Sequence, residues 1–264
     1  MSFLTLENVS HHYFYKKGYT KALDRISLSL QEGEFISILG PSGCGKSTIL
    51  SIISGLITPT EGKVLFKQQT DDQNRTKIGY MLQQDYLFPW KTIIDNVLIG
   101  PTINHTDTKY MKEKGIQLLN EVGLSGVVDA YPSSLSGGMR QRAALVRTLI
   151  TNPDILLLDE PFSALDYLTK LKLEDLVAEL LKTYKKTSVL VTHDIGEAIA
   201  MSDRVLLMSA QPGKIDHVFD VPIELRQEQP FLVRRHPKYQ VIFDKVWDKV
   251  NKNESYSKGG DVSS

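Results

Sequence analysis

The chain has 264 residues, 41% of them hydrophobic, and its 31 Lys and Arg balance its 31 Asp and Glu. That length holds one large domain, or a domain with a subdomain. A neutral chain has no bulk field to hold DNA, RNA or an anionic membrane surface, so no nucleic-acid partner is expected.

The first residues, Met1–Glu7, lack the charged start and apolar core of a secretory leader. Residues 3–9 and 26–30 alternate apolar and polar, as half-buried strands do, with a loop at Lys16, Lys17 and Gly18 between them. Phe35–Leu39 is a short buried strand that runs into glycine-rich sequence. Ile49, Leu50, Ile52 and Ile53 then predict a helix ending near Gly55, and 62–66 and 78–82 read as strands. From about 90 to 150 the pattern turns helical: Ile116, Leu118, Leu119 and Val122, then Ala143, Ala144, Val146, Leu149 and Ile150. Pro132 and Gly137-Gly138 break that stretch. Ile155–Leu158 is continuously apolar, as in a strand inside a parallel sheet. A helix over 168–182, a strand over 188–192, a helix over 196–201 and a strand over 204–209 follow. The alternation predicts an α/β sheet covered by helices. In the last segment, Val233, Val241, Ile242, Val246 and Trp247 predict a packed helix, and 251–264 is expected to be disordered. No apolar run approaches the roughly 18 residues that span a membrane, so any membrane role is expected to pass through partners.

Gly40-Pro41-Ser42-Gly43-Cys44-Gly45-Lys46-Ser47-Thr48 fits G-x-x-x-x-G-K-[ST]. Its glycines let backbone N–H groups curl around phosphate oxygens, and the following helix adds its positive end. Lys46 is placed for the β- and γ-phosphates and Ser47 for Mg²⁺. Cys44 is the only cysteine, so no internal disulfide forms and a reducing compartment is expected. Its place between a helix N-terminus and Lys46 predicts a thiol pKa below that of a free cysteine; the alternative is a small side chain turned into the protein and unreactive.

The strand Ile155–Leu158 ends in Asp159-Glu160. Open α/β sheets bind ligands at such strand ends. Asp159 suits water-mediated Mg²⁺ binding, and Glu160 suits activation of the water that attacks a γ-phosphate.

Leu135-Ser136-Gly137-Gly138-Met139-Arg140-Gln141-Arg142 resembles the signature motif of ABC ATPases, lying between the phosphate loop and Asp159 as it does in that family. The resemblance covers about residues 3–220 and implies a P-loop NTPase core. That core has a mostly parallel sheet, an N-terminal antiparallel β subdomain, and an α-helical subdomain inserted at about 88–150. Residues 221–264 remain as a short helical extension and tail. The resemblance further implies Gln83, with Gln84 beside it, as the Q-loop glutamine and a Mg²⁺ ligand. Asp166 belongs to the D-loop motif Ser163-Ala164-Leu165-Asp166, and His193 is the switch histidine. Tyr13, next to Phe14 and Tyr15, is the aromatic that stacks on adenine. Two copies are expected to bind two ATP head to tail, with Ser136, Gly137 and Gly138 of one chain meeting the nucleotide held by the other.

Leu87-Phe88-Pro89-Trp90, Asp159–Asp166 and Gln211-Pro212-Gly213-Lys214-Ile215 are similar to the nitrate/sulfonate/taurine branch of importer ATPases. That branch also serves thiamine precursors. The resemblance implies integral membrane permease subunits, an extracytoplasmic solute-binding protein, and a peripheral place on the cytoplasmic face of the membrane. An ABC ATPase of the cell-division or lipoprotein-release type is the alternative. Phe88 and Trp90 read either as permease contacts or as core aromatics.

Overall fold

The computed structural model describes residues 2–67 and 76–258. The chain opens with strands β1 (Leu4–Tyr15) and β2 (Gly18–Leu30), a hairpin turning at Lys16-Lys17, and then lays down β3 (Phe35–Leu39). Helix α1 (Lys46–Ile53) follows the glycine-rich loop. Next come β4 (Glu61–Phe66) and β5 (Ile78–Met81). The chain then leaves the sheets for α2 (Ile93–Val97), α3 (Ile99–Ile103), α4 (Thr108–Glu121) and α5 (Gly137–Leu149). It returns with β6 (Ile155–Asp159), α6 (Tyr167–Thr183), β7 (Thr187–Thr192), α7 (Ile195–Met201), β8 (Arg204–Ser209) and β9 (Lys214–Asp220). Short helices α8 (Ile223–Arg226) and α9 (Pro230–Val233) lead to the long α10 (Pro237–Lys258).

The strands form two sheets. One is antiparallel, in the order β2-β1-β4; the other has the order β5-β6-β7-β3-β8-β9. All neighbours in the second sheet are parallel except β8 and β9. A parallel sheet is buried on both faces, which is why β6 is unbroken apolar sequence up to Asp159 and every residue of β7, its Thr and Ser included, is buried. On β6, Leu156 and Leu158 face the helices α2, α4 and α5, while Ile155 and Leu157 face α1 and the antiparallel sheet. A third apolar cluster joins α7 and β8 to Leu225, Val233, Ile242 and Val246 of the C-terminal segment.

The last segment departs from the sequence expectation in two ways. Val233 sits on α9 while Ile242 and Val246, one turn apart on α10, are buried; Val241 and Trp247, 57% and 49% exposed, face outward. Residues 251–258, expected to be disordered, continue α10. The rest of that expectation, 259–264, lies outside the described residues. Strand β9 was not anticipated: its residues alternate between half-buried and exposed on an antiparallel edge, a weaker signal than the apolar interior strands.

Candidate functional site

The C-terminal ends of β3, β6 and β7 lie side by side in the parallel sheet. Three sequence motifs therefore converge: the loop after β3, the carboxylates ending β6 and the histidine after β7. A cleft of about 490 Å³ lies above the loop after β3. Its walls include Tyr13, Ser42, Gly43, Gly45, Lys46, Ser47, Thr48, Gln83 and Glu160.

The loop is shaped for close backbone approach. Gly45 precedes α1 with φ 95°, in the left-handed region that side chains disfavour, and a Cβ there would lie 2.5 Å from Leu23. Lys46 is 6% exposed; its Nζ donates to the carbonyl oxygens of Gly40 at 2.8 Å and Pro41 at 3.0 Å, and stands 4.0 Å from Glu160 Oε1. Gly213 braces the loop from below. A Cβ at Gly213 would overlap the carbonyl oxygen of Cys44, and its N–H donates to Ala22 O at 2.9 Å.

Cys44 overturns its sequence expectation. Its side chain is buried, and burial pushes the thiol pKa up despite the nearby Lys46 ammonium. Desolvation disfavours the thiolate more than the single nearby charge favours it. Cys44 is thus a packing residue whose backbone belongs to the loop.

Ser47 Oγ donates to Asp159 Oδ1 at 3.1 Å, and the Tyr80 hydroxyl donates to Asp159 Oδ2 at 3.4 Å. Burial raises the Asp159 pKa, against the Ser47 bond that lowers it. A serine hydroxyl beside a carboxylate, with the Gln83 amide on the same cleft wall, is a set of hard oxygen donors. It suits Mg²⁺, an ion that takes few protein ligands and completes its shell with water and phosphate oxygens. Among the described residues there is no group of three or more His, Cys, Asp or Glu able to hold a metal by themselves.

Glu160 stands just beyond the strand end at φ 45°. This left-handed geometry costs a residue other than glycine about 1–2 kcal/mol. Three bonds hold it there. Its N–H donates to Val191 O at 2.9 Å, and its carbonyl accepts from Ser163 N at 3.2 Å and Ser163 Oγ at 3.0 Å. The carboxylate is thereby aimed at His193, whose Nδ1 is 3.1 Å from Oε2. Asp194, next to His193, caps α7 by accepting from Glu197 N at 3.0 Å.

Gln83 ties the cleft to neighbouring elements. Its Nε2 donates to Ser163 Oγ at 3.2 Å, and its carbonyl accepts from Gln141 Nε2 of α5 at 3.0 Å. Gln84 is not among the cleft residues. Tyr13 is 43% exposed, its hydroxyl is 3.2 Å from Thr48 Oγ1, and His11 meets its ring edge-on at 4.7 Å. Its ring is therefore available for stacking in the cleft.

Some predicted residues lie elsewhere. Ser136 caps α5, accepting from Met139 N at 3.3 Å, and Gly138 packs closely on Thr169 of α6. Asp166 caps α6 through Thr169 N at 3.1 Å. Neither Asp166 nor Ser136, Gly137 and Gly138 lines the cleft. The sequence reading missed Thr20, Lys21, Ala22 and Gln211 in the cleft wall, and Tyr80 behind it. Thr20 was accessible in principle, because a turn at Lys16-Lys17 sets it opposite Tyr13.

A strand, a glycine-rich loop, a helix beginning at lysine and a neighbouring strand ending in two carboxylates define a P-loop nucleoside triphosphatase. Residues 23–163 match the family described as ABC transporter. An uncharacterized ABC transporter ATP-binding protein of Bacillus subtilis is 56% identical over 254 residues, 96% of this chain and 98% of the relative. An aliphatic sulfonates import ATP-binding protein of Bacillus cereus is 39% identical over 217 residues, 82% and 85% of the two chains. A dimeric ATP-binding cassette in a post-hydrolysis state, bound to ADP and Pi, superposes with a TM-score of 0.71 at 35% identity, covering 83% of this chain and 99% of that one. The chain belongs to the ABC transporter family, as an ATP-binding and ATP-hydrolysing cassette. Among the described residues no helix is long and apolar enough to cross a membrane.

Proposed function

We propose that this chain powers an importer of a small solute from the cytoplasmic face of the membrane, through separate permease subunits fed by an extracytoplasmic binding protein. The likeness to a sulfonate import ATPase supports this reading. So does an exposed aromatic pair that follows Gln83 in the chain. Phe88 and Trp90 are 39% and 70% exposed, with ring centroids 5.2 Å apart. Neither is a core residue. Asn96, fully buried, folds this segment by donating to the carbonyls of Phe88, Lys91 and Thr92 while accepting from Phe88 N. Arg147 of α5 clamps the adjacent Asp85 and Tyr86 carbonyls at 2.6 and 2.7 Å. Gln83 of the nucleotide cleft is thus followed in the chain by a hydrogen-bonded segment that presents an aromatic pair suited to a permease helix.

Two copies are taken to face each other head to tail. The observation that carries this arrangement is that Ser136–Gly138, a helix N-terminus suited to phosphate, stands outside its own chain's cleft. Within one site, Tyr13 stacks on adenine, and the loop Gly40–Thr48 and Lys46 hold the phosphates. Ser47 and Gln83, and Asp159 through water, would hold Mg²⁺, which would supply neutralisation of phosphate charge. Glu160 accepts the proton of the attacking water, and His193 orients Glu160 and meets the γ-phosphate. The partner chain supplies Ser136, Gly137 and Gly138, while Asp166 stands at the junction of the two copies.

Deleting the gene in its host should abolish uptake of one solute of the nitrate, sulfonate, taurine or thiamine-precursor class. The wild-type gene should restore uptake and Glu160→Gln should not. Normal uptake of all these solutes, with a defect in cell division or lipoprotein release, would favour the alternative class.

A further inference from the structure

Five charged side chains cluster behind His193, and the hydrolytic roles above do not use them. Lys170, on α6, donates Nζ to Asp194 Oδ2 at 2.7 Å and stands 2.9 Å from Glu197 Oε2 and 3.9 Å from Glu174 Oε1. The Glu174 side chain is 0% exposed and that of Glu197 3%. Arg234, at the end of α9, donates Nη2 to Glu174 Oε2 at 2.6 Å and Nη1 to Pro230 O at 3.0 Å. The cluster opens toward the hydrolytic site. A cavity of about 210 Å³ is bounded by Glu160 and His193 on one side and by Lys170, Asp194 and Glu197 on the other.

Three carboxylates here share two cations. Glu174 lies one helical turn after Lys170, at the spacing where a lysine and a glutamate on one helix ordinarily pair. Lys170 nevertheless sits closer to Asp194, the residue that follows His193 and caps α7. Glu174 has a cation of its own in Arg234. Without it, a buried carboxylate would compete for the only remaining ammonium, because an unpaired buried charge is strongly disfavoured.

We propose that Arg234 is a positioning residue for ATP hydrolysis. By pairing with Glu174 it leaves Lys170 on Asp194, which fixes the turn carrying His193 against Glu160. The C-terminal segment thereby becomes part of the hydrolytic apparatus. It is anchored for that task. Phe231 N donates to Asp175 Oδ1 of α6 at 2.8 Å, and Val233 is fully buried. On the other side of the turn, the Tyr239 hydroxyl lies 3.0 Å from where a Cβ on Gly196 would stand. The proposal rests on the roles given above to Glu160 and His193.

The test uses the full chain. Arg234→Gln should lower kcat about tenfold while KM for Mg-ATP stays within about twofold, because the phosphate loop is untouched. Adding Glu174→Gln should restore most of the turnover, since a neutral amide no longer draws Lys170 away. In a His193→Ala background, Arg234→Gln should cost no further turnover, as expected of two residues acting through one step. Hydrogen exchange gives a readout that needs no activity: amides of 193–201 should exchange faster in Arg234→Gln, and those of 40–53 should not change. Additive losses with His193→Ala, failure of Glu174→Gln to rescue, or unchanged exchange over 193–201 would each overturn the proposal. Wild-type turnover in His193→Ala alone would instead overturn the reading of the hydrolytic site beneath it.

Discussion

Glu160 and His193, the residues that follow two adjacent parallel strands, meet at 3.1 Å, and Glu160 holds its backbone at φ 45° where they meet. Unfavourable geometry maintained by three hydrogen bonds marks a place where position matters more than stability. Glu160→Gln keeps the shape and removes the base. This variant should bind ATP, lose at least about a hundredfold in turnover and accumulate as an ATP-bound dimer. Gel filtration with ATP measures the dimer and phosphate release the turnover; a variant as active as wild type would remove Glu160 from its role.

Ser136→Arg separates the two halves of the proposed dimer. Ser136 caps α5 and lies outside its own cleft, so the isolated chain should bind nucleotide nearly as well as before. Loss of the cap should lower stability by about 1 kcal/mol, and the new bulk should block the partner's nucleotide and abolish hydrolysis. Nucleotide titration of the monomer checks the first claim. A large loss of affinity there would mean that the signature segment serves its own chain's site.

Much of the cleft was legible from the sequence, because it is written in contiguous motifs. A phosphate loop needs its glycines and lysine at fixed spacing, and the strand feeding it is largely apolar because both faces are covered. Family resemblance implied a mostly parallel sheet, but the order that sets the loops after β3, β6 and β7 side by side was not legible, since the pairing partners are distant in sequence. The environment of Cys44 was misjudged because nearby charge is visible in a sequence and burial is not. Lys170, Glu174, Glu197 and Arg234 went unnoticed for a related reason: they reach one cluster from α6, α7 and the end of α9, and no spacing rule joins them.

The buried cluster also sets a pH dependence of stability. Burial pushes the Glu197 carboxyl from 4.5 up to about 7, against the lowering effect of Lys170. In this window the folded chain binds a proton that the unfolded chain has released, so stability falls as pH rises from about 4.5 to 7. Glu174 and Asp159, also raised by burial, act in the same direction. Asp194 and Asp24, both held below the ordinary range, lose their contribution only at more acid pH. One carboxyl moved from 4.5 to about 7 accounts for at most about 3 kcal/mol. Urea midpoints should therefore fall between pH 5 and pH 8, and Glu197→Gln should flatten that fall. An equally steep fall in the variant would show that Glu197 is not the group responsible.

Cys44 gives a prediction opposite to the one its neighbours in the sequence imply. Its Sγ packs beneath the phosphate loop, 2.8 Å from where a Cβ on Gly40 would stand, and its thiol is both buried and raised in pKa. Reaction with a maleimide requires an exposed thiolate, and here burial works against both exposure and ionisation. The native chain should therefore resist labelling whether or not Mg-ATP is present, and Mg-ATP should give no further protection because access is closed already. In denaturant the same thiol should label fully. Cys44→Ala removes a buried sulfur and leaves a small cavity, which should cost about 1 kcal/mol or less. Its ATPase activity should remain close to wild type, since the loop meets phosphate through backbone N–H groups. Mass spectrometry of a labelling time course with and without Mg-ATP reads the result directly. Rapid labelling that Mg-ATP suppresses would show that the loop opens to expose the sulfur, and that the packing of Cys44 against Gly40 and Gly213 is not its resting arrangement in solution.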